Sequence, residues 1–374
     1  MFDDISVICP KKSYHKIQNV SSSVKYILIN DVEYQKEKLT SRLVGQLTQC
    51  FHFSKAITQN VKNGDVVFSG TNPALLLILI SLLKVMKGFK WMLLVHDVFP
   101  ENLIAAKVFE SKSLLYRSVK YLFDKVYSSA DTLIAIGRDM QILLKIKTKR
   151  INRIEYVPNW VDPNDVYPLT RDGSGLIHNH GFDGKVVFQF FGNLGRLQGI
   201  QNLLNAILLV RNEKAAFMFI GSGSEDSVIS DFIKNNPKKS VIQLPSVTLS
   251  QNNVVLSSCD VAVVSLSEGM NGLGVPSKAY FSLAADKPLL VVTDENSELF
   301  YLISEEYKVG WFCEACNPKK LASMIDEICR ENISDISGNS RNVMLNKYTY
   351  VNAIKNYTKC ISELYEINNG IRND

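Results

Sequence analysis

No stretch of this 374-residue chain stays apolar long enough to cross a bilayer. The longest run, Ala74 to Leu83 with only Ser81 interrupting, falls well short of the roughly 20 residues a spanning helix needs. The first residues, MFDDISVICPKK, begin acidic and pass directly into a short apolar strand, without the pattern of a secretory signal. Cysteine is sparse, odd in number at 7, and scattered, which excludes a disulfide framework and points to a reducing compartment. Cys313 and Cys316 form a lone CxxC with no second pair and no nearby histidine, so a zinc site is not expected. No low-complexity tract and no nucleic-acid motif is present, and nucleic acid is not an expected partner.

What is present is a chain long enough for two domains of ordinary size, with unevenly placed charge. Residues 1–150 hold 22 Lys+Arg against 12 Asp+Glu, and the remainder 20 against 25, so a front half of net +10 is joined to a rear half of net −5. A basic half suits an anionic partner, either membrane headgroups or a phosphorylated acceptor. Ser113 to Tyr127 adds to this. It sets Leu114, Leu115, Val119, Leu122, Phe123 and Val126 at helical spacing beside Arg117, Lys120 and Lys125, a pattern of either a packed helix with a solvated face or one lying on anionic lipid.

Short β-rich runs alternate with helical patterns throughout. In the front half they are Ile5–Cys9, Tyr26–Asn30, Asp65–Phe68, Trp91–Val95, Thr132–Ile136 and Arg153–Val157. In the rear half they are Val186–Phe190, Ala216–Ile220, Val241–Leu244, Val261–Ser265, Pro288–Val292 and Val309–Phe312. This alternation predicts a doubly wound parallel sheet, twice over. The segment Pro158 to Pro163 and the polar stretch Arg171 to Gly184 read as the linker, and the cleft between the sheets is the expected site, because such folds bind ligands beyond the carboxyl ends of their strands.

Three segments at strand ends carry chemistry. The strand from Val186 runs into Gly192-Asn193-Leu194-Gly195-Arg196, followed by a helical pattern; glycine there lets backbone approach an anion, or simply turns the chain. Gly221 and Gly223 follow the next strand. His96 and Asp97 follow Val95, where side chains can point into the cleft or cap the next turn. Most informative is Glu268 to Pro288, EGMNGLGVPSKAYFSLAADKP, in which Gly272 and Gly274 lead to Pro276. Ser277 and Lys278 then fall in the first turn of a helix, where a hydroxyl and an ammonium suit a phosphate.

In order and spacing, HDVFPENL, VPNWVD, FGNLGRLQGI and VPSKAYFSLAADKPLLV resemble segments of the retaining GT-B glycosyltransferases of family 4, the group that builds bacterial surface polysaccharides such as O-antigen and capsule. The resemblance spans about Asp65 to Leu364. It implies a GT-B fold, two Rossmann-like domains facing a cleft: residues 1–165 binding the acceptor, 166–348 binding a nucleoside-diphosphate-sugar, and 349–374 packing back on the first. It implies a hexosyltransferase that needs neither cofactor nor metal, in keeping with the lack of any Asp-x-Asp. The protein would be cytoplasmic and peripheral on the inner face of the plasma membrane, transferring to a polyprenyl-diphosphate-linked saccharide. Gly192, Asn193, Gly195, Gly221, Gly223, Glu268, Gly274 and Ser277 would bind the donor; His96, Asp97, Arg196 and Lys278 would serve catalysis, with Arg196 and Lys278 neutralising the leaving diphosphate. The acceptor hydroxyl and the departing phosphate would share one face of the sugar.

Two departures stand out. Phe281 replaces a family glutamate credited with holding the ribose, so that either Glu268 contacts the ligand instead, or the ribose is held differently, or donor affinity is poor. The first strand ends in Pro10-Lys11-Lys12 rather than paired glycines, a basic loop suited to a phosphorylated lipid. Rival readings are a GT-B nucleotide-sugar epimerase and a non-catalytic GT-B scaffold.

Overall fold

A computed structural model describes the chain except residues 1–3, 16–20, 34–38, 150–152, 172, 174, 249–250, 307, 332, 337 and 369–374. The outer ends of the expected first and last domains, and two positions of the polar linker, thus lie outside the described residues. All twelve expected strands form: β1 (Ile5–Pro10), β2 (Val24–Ile29), β3 (Val66–Gly70), β4 (Lys90–Val95), β5 (Thr132–Ala135) and β6 (Ile154–Tyr156) in front. Behind them come β7 (Val186–Asn193), β8 (Ala215–Ser222), β9 (Val241–Leu244), β10 (Val261–Ser265), β11 (Leu289–Thr293) and β12 (Gly310–Glu314).

The rear strands make one parallel sheet in the order β12-β11-β10-β7-β8-β9. Counted from β7 as the first strand this is the 3-2-1-4-5-6 order of the dinucleotide-binding fold, and it reverses direction between β7 and β10. Pairing across that junction involves only Phe188 and Gln189 of β7. The carboxyl end of β7 then runs on alongside β8 instead, through Gly192↔Gly221 and Asn193↔Ser222. The front strands fall into two sheets among the described residues, β3-β4-β5-β6 and the separate pair β1-β2. The central rear strands are buried along their whole length, which is why they read as unbroken apolar runs.

The halves share one apolar core. A single cluster contains Leu77, Trp91, Tyr127 and Ile136 from the front and Val264, Tyr280, Leu283 and Leu289 from the rear. The chain crosses between them twice, side by side: Val161 N–H donates to Tyr348 O at 2.9 Å, and Val161 bridges Thr349. Beyond this crossing the helix Tyr350–Asn368 sets Ala353, Cys360 and Leu364 against Met92, Ile134 and Val157 of the front sheet. Polar clasps reinforce the junction. Glu298, almost fully buried, accepts from Arg138 N–H at 2.7 Å, Arg138 Nε at 3.0 Å and Tyr156 O–H at 2.7 Å.

Candidate functional site

The site grows from the splayed junction of β7 and β10. Gly192 and Asn193, expected in a loop, are instead the last residues of β7, because that strand continues its pairing with β8. Gly221 has a reason to be glycine: its φ is +149°, and a Cβ there would lie 1.7 Å from Gly192 O. Gly223 is packed as tightly, with Leu194 O 2.3 Å from where a Cβ would stand. Both glycines therefore let β8 and the turn after β7 approach each other. The helix expected to begin near Leu197 is delayed. Arg196–Gln198 form a single 3₁₀ turn, Gly199 follows, and the α-helix runs Ile200–Leu209.

That 3₁₀ turn is pinned to the end of β10. Ser265 Oγ donates to Gln198 O at 2.5 Å, Ser267 Oγ to Arg196 O at 3.0 Å, and Ser267 N–H to Leu197 O at 2.9 Å. The helix Lys278–Ala284 starts beside it, and Lys278 Nζ donates to Gln198 Oε1 at 2.7 Å. The same ammonium sits 3.4 Å from the centre of the Phe190 ring. Among the described residues it has no carboxylate partner, and burial pushes its pKa well below the usual lysine value. An amide oxygen and an aromatic face both attract a cation without cancelling its charge. The result is a desolvated positive site open to an anion. Arg196 is exposed at the same turn, its side chain likewise without an ion pair among the described residues.

The front half meets this edge through the end of β4. The backbone N–H groups of His96 and Asp97 donate to Thr71 Oγ1 at 3.3 and 3.4 Å, Tyr127 O–H donates to Asp97 O at 3.2 Å, and Asp97 pairs as a bridge with Gly274. Both residues are exposed. The protein around them disfavours charge: burial lowers the His96 pKa and raises that of Asp97, each effect opposed by the other residue.

The loop carrying Glu268, Gly272, Gly274 and Ser277 thus runs between the halves. Glu268 is exposed, and burial together with its carboxylate raises the pKa of the nearby Cys316 thiol. Ser277 is exposed immediately before Lys278, and Phe281 packs partly buried against the shared core. At the far front end, the expected basic loop is partly neutralised. Lys12 Nζ pairs with Glu33, and its backbone N–H donates to Asp31.

The sequence-predicted residues therefore assemble at one edge: Gly192 to Arg196, Lys278 and Ser277 from the rear, His96 and Asp97 from the front. Sequence reasoning missed Gln198 as the partner of Lys278, Phe190 beneath it, and Asp139, whose Oδ2 accepts from Gly272 N–H at 2.8 Å. The run Ile136-Gly137-Arg138-Asp139 directly after β5 is a strand-to-helix turn of the kind already singled out elsewhere, and is where that signal lay.

Two Rossmann-like parallel halves joined by a double crossing, with a cation waiting at the switch point of the rear sheet, define the GT-B architecture. The chain belongs to the glycosyl transferases of group 1: residues 177–349 match that family's model. It is 44% identical over 364 residues to the probable glycosyltransferase WbjE of Pseudomonas aeruginosa, covering 97% of this chain and 90% of that one. Its fold is similar to that of Anabaena HepE in complex with UDP and glucose, at 13% identity and a TM-score of 0.67 over 91% of this chain and 86% of that one. It is also similar to WaaG, a glycosyltransferase involved in lipopolysaccharide biosynthesis, at 10% identity and a TM-score of 0.65 over 92% and 88%. The chain is thus a glycosyltransferase.

Proposed function

We propose that the enzyme takes a sugar from a nucleoside-diphosphate donor and attaches it, with retention, to a polyprenyl-diphosphate-linked saccharide during synthesis of a bacterial surface polysaccharide. The observation that carries this reading is the Lys278 ammonium at the β7–β10 junction, half-buried and without a carboxylate partner among the described residues. A buried lysine lacking a counter-charge is unfavourable for the free protein and favourable once a diphosphate supplies one. Lys278 and Arg196 would meet the charge that grows on the β-phosphate as the sugar departs, stabilising the transition state more than the ground state. Gly192, Asn193, Gly195 and Ser277 would offer backbone and hydroxyl donors, with Gly221, Gly223 and Gly274 shaping the close approach. Glu268 would reach the ribose, since Phe281 cannot.

Residues 166–348 would hold the donor. Residues 1–165, with 349–374 packed on them, would hold the acceptor, and His96 and Asp97 would face the reacting sugar. A nucleotide donor agrees with the UDP and glucose bound by HepE, and a surface-polysaccharide role with the lipopolysaccharide pathway of WaaG. Among the described residues no helix is long and apolar enough to cross a membrane, and the exposed apolar and basic face of the helix Leu114–Ser129 supports peripheral attachment to the inner leaflet.

The test is thermal stabilisation by UDP, GDP, dTDP and CDP, then turnover of the matching sugar donor with and without a polyprenyl-diphosphate-linked acceptor. Stabilisation by one nucleotide and acceptor-dependent turnover are expected. Stabilisation by none, or product that forms equally without acceptor, would reject the reading.

A further inference from the structure

The loop before Lys278 is held from both sides by aspartates. On the rear side Gly269 and Asn271 N–H groups donate to Asp294 Oδ2 at 2.9 and 3.1 Å. On the front side Gly272 N–H donates to Asp139 Oδ2 at 2.8 Å, while Asp139 Oδ1 accepts from Met140 N–H at 2.8 Å. Further front-half tethers follow along the loop: Val98 N–H donates to Leu273 O at 3.0 Å, and Asn159 Nδ2 to Val275 O at 3.1 Å.

Asp139 is an unusual choice for a tether. It is buried, and no lysine or arginine pairs with its carboxylate among the described residues; the neighbouring charge it feels is the carboxylate of Glu298. Backbone N–H groups compensate it: from Met140 at the start of the helix Arg138–Thr148, from Gly272, and from Glu298. The backbone is shaped to let it reach the loop. A Cβ on Gly137 would lie 2.4 Å from Asp139 Oδ1 and 2.8 Å from Val275 Cγ2. Gly272 adopts φ +73° with Asp139 O 3.0 Å from where its Cβ would be. An apolar side chain there would leave these N–H groups unsatisfied and would give the loop no fixed link to the front half.

We infer that Asp139 is a positioning residue for donor binding: it clamps the loop that ends in Ser277 and Lys278 onto the front half, so that the diphosphate site of the rear half is completed by a carboxylate from the opposite domain. This rests on the donor reading above. Gly272, Leu273 and Val275 are therefore held by the front half together, and loss of one tether should loosen the loop and weaken donor binding.

The test uses the full chain, with UDP, or whichever of GDP, dTDP and CDP stabilises the wild type, as the probe. Asp139→Asn keeps the volume but leaves one acceptor oxygen for the N–H groups of Met140, Gly272 and Glu298. The nucleotide Kd should rise about tenfold at unchanged stoichiometry, and hydrogen exchange across residues 268–277 should quicken. Asn159→Ala, which removes only a side-chain tether and leaves the core alone, should shift both readouts the same way to a smaller degree; it serves also if Asp139→Asn does not fold. A lower melting temperature with Kd and loop exchange unchanged in the variants would overturn the inference. A wild type that binds none of the nucleotides would instead overturn the donor reading.

Discussion

Lys278 Nζ donates to Gln198 Oε1 at 2.7 Å and lies over the ring of Phe190, so the half-buried ammonium is steered by two neutral groups. Gln198→Glu would give it a carboxylate instead, satisfying the charge internally. Nucleoside diphosphate affinity should fall by about tenfold or more while affinity for the bare nucleoside is unchanged. Lys278→Ala should lower turnover by about 100-fold or more. Calorimetry with both ligands, beside steady-state rates, checks the pair; equal loss of nucleoside and diphosphate binding would reject the role.

The same lysine makes a prediction about pH. Burial holds its folded-state pKa well below the ordinary 10.5, so between those values the unfolded chain carries more protons than the folded one. Stability from this group therefore rises with pH across that interval, the reverse of an ion-paired lysine. Lys278→Met should melt higher than wild type near neutral pH, and the gap should narrow as pH climbs toward 10.5. A bound diphosphate favours the charged form, so its affinity should weaken as pH climbs toward 10.5. Nucleotide titrations at stepped pH measure this, and an affinity independent of pH would contradict it.

Gly221→Ala tests the close approach of the strand ends. With φ +149° and the Gly192 carbonyl 1.7 Å from the new Cβ, the β7–β8 pairing must give way. A loss of more than about 3 kcal/mol is expected from urea unfolding. The same change at Gly269, whose Cβ would meet nothing within 4 Å, should be milder despite its φ of +82°.

How much of this was legible in the sequence follows from distance along the chain. Strands buried on both faces, such as β10 and β11, announce themselves as apolar runs, and the more exposed β1, β2 and β3 still carry short β-branched runs between helical patterns, so all twelve were readable; the glycine turns that follow several of them marked the cleft edge. The ends were less readable. β7 and β8 each run past the apolar stretch into glycine, because a paired strand end depends on its neighbour rather than on its own residues. Contacts between the halves left no trace: Arg138 and Glu298 are 160 residues apart, Asp139 and Gly272 are 133 apart, and each looks like an ordinary surface charge or turn glycine locally. Likewise Gln198 reads as an ordinary polar residue of a turn until the ammonium it holds is placed beside it.

His96 should act as a neutral imidazole. Burial lowers its pKa despite the adjacent Asp97, so protonation sets in only below the usual histidine range. If the neutral ring contacts the donor sugar, kcat should decline on the acid side with an apparent value below 6.5, and His96→Ala should abolish that limb along with most of the rate. A pH profile of His96→Ala that keeps the wild-type acid limb would exclude this group.

The helix Leu114–Ser129 does not bury its apolar stripe as one face. Phe123 and Val126 go into the core, whereas Leu114, Leu115, Tyr121 and Leu122 remain 78%, 62%, 67% and 44% exposed beside Arg117 and Lys125. Val85 and Met86, on the neighbouring helix Ala74–Lys87, are more exposed still, at 84% and 78%. Apolar side chains set among cations suit the boundary of an anionic bilayer, where each basic residue near the surface contributes on the order of 1 kcal/mol. The protein should therefore co-sediment with vesicles containing phosphatidylglycerol, less so in high salt, and poorly with pure phosphatidylcholine. Leu115→Glu with Leu122→Glu should cut the bound fraction sharply while leaving turnover of a short soluble acceptor intact, because both residues face away from the core and such surface changes shift stability by only about 0.5 kcal/mol. Equal sedimentation of the double variant would move membrane contact to another face of the front half, and equal binding to neutral vesicles would remove the electrostatic part of the explanation.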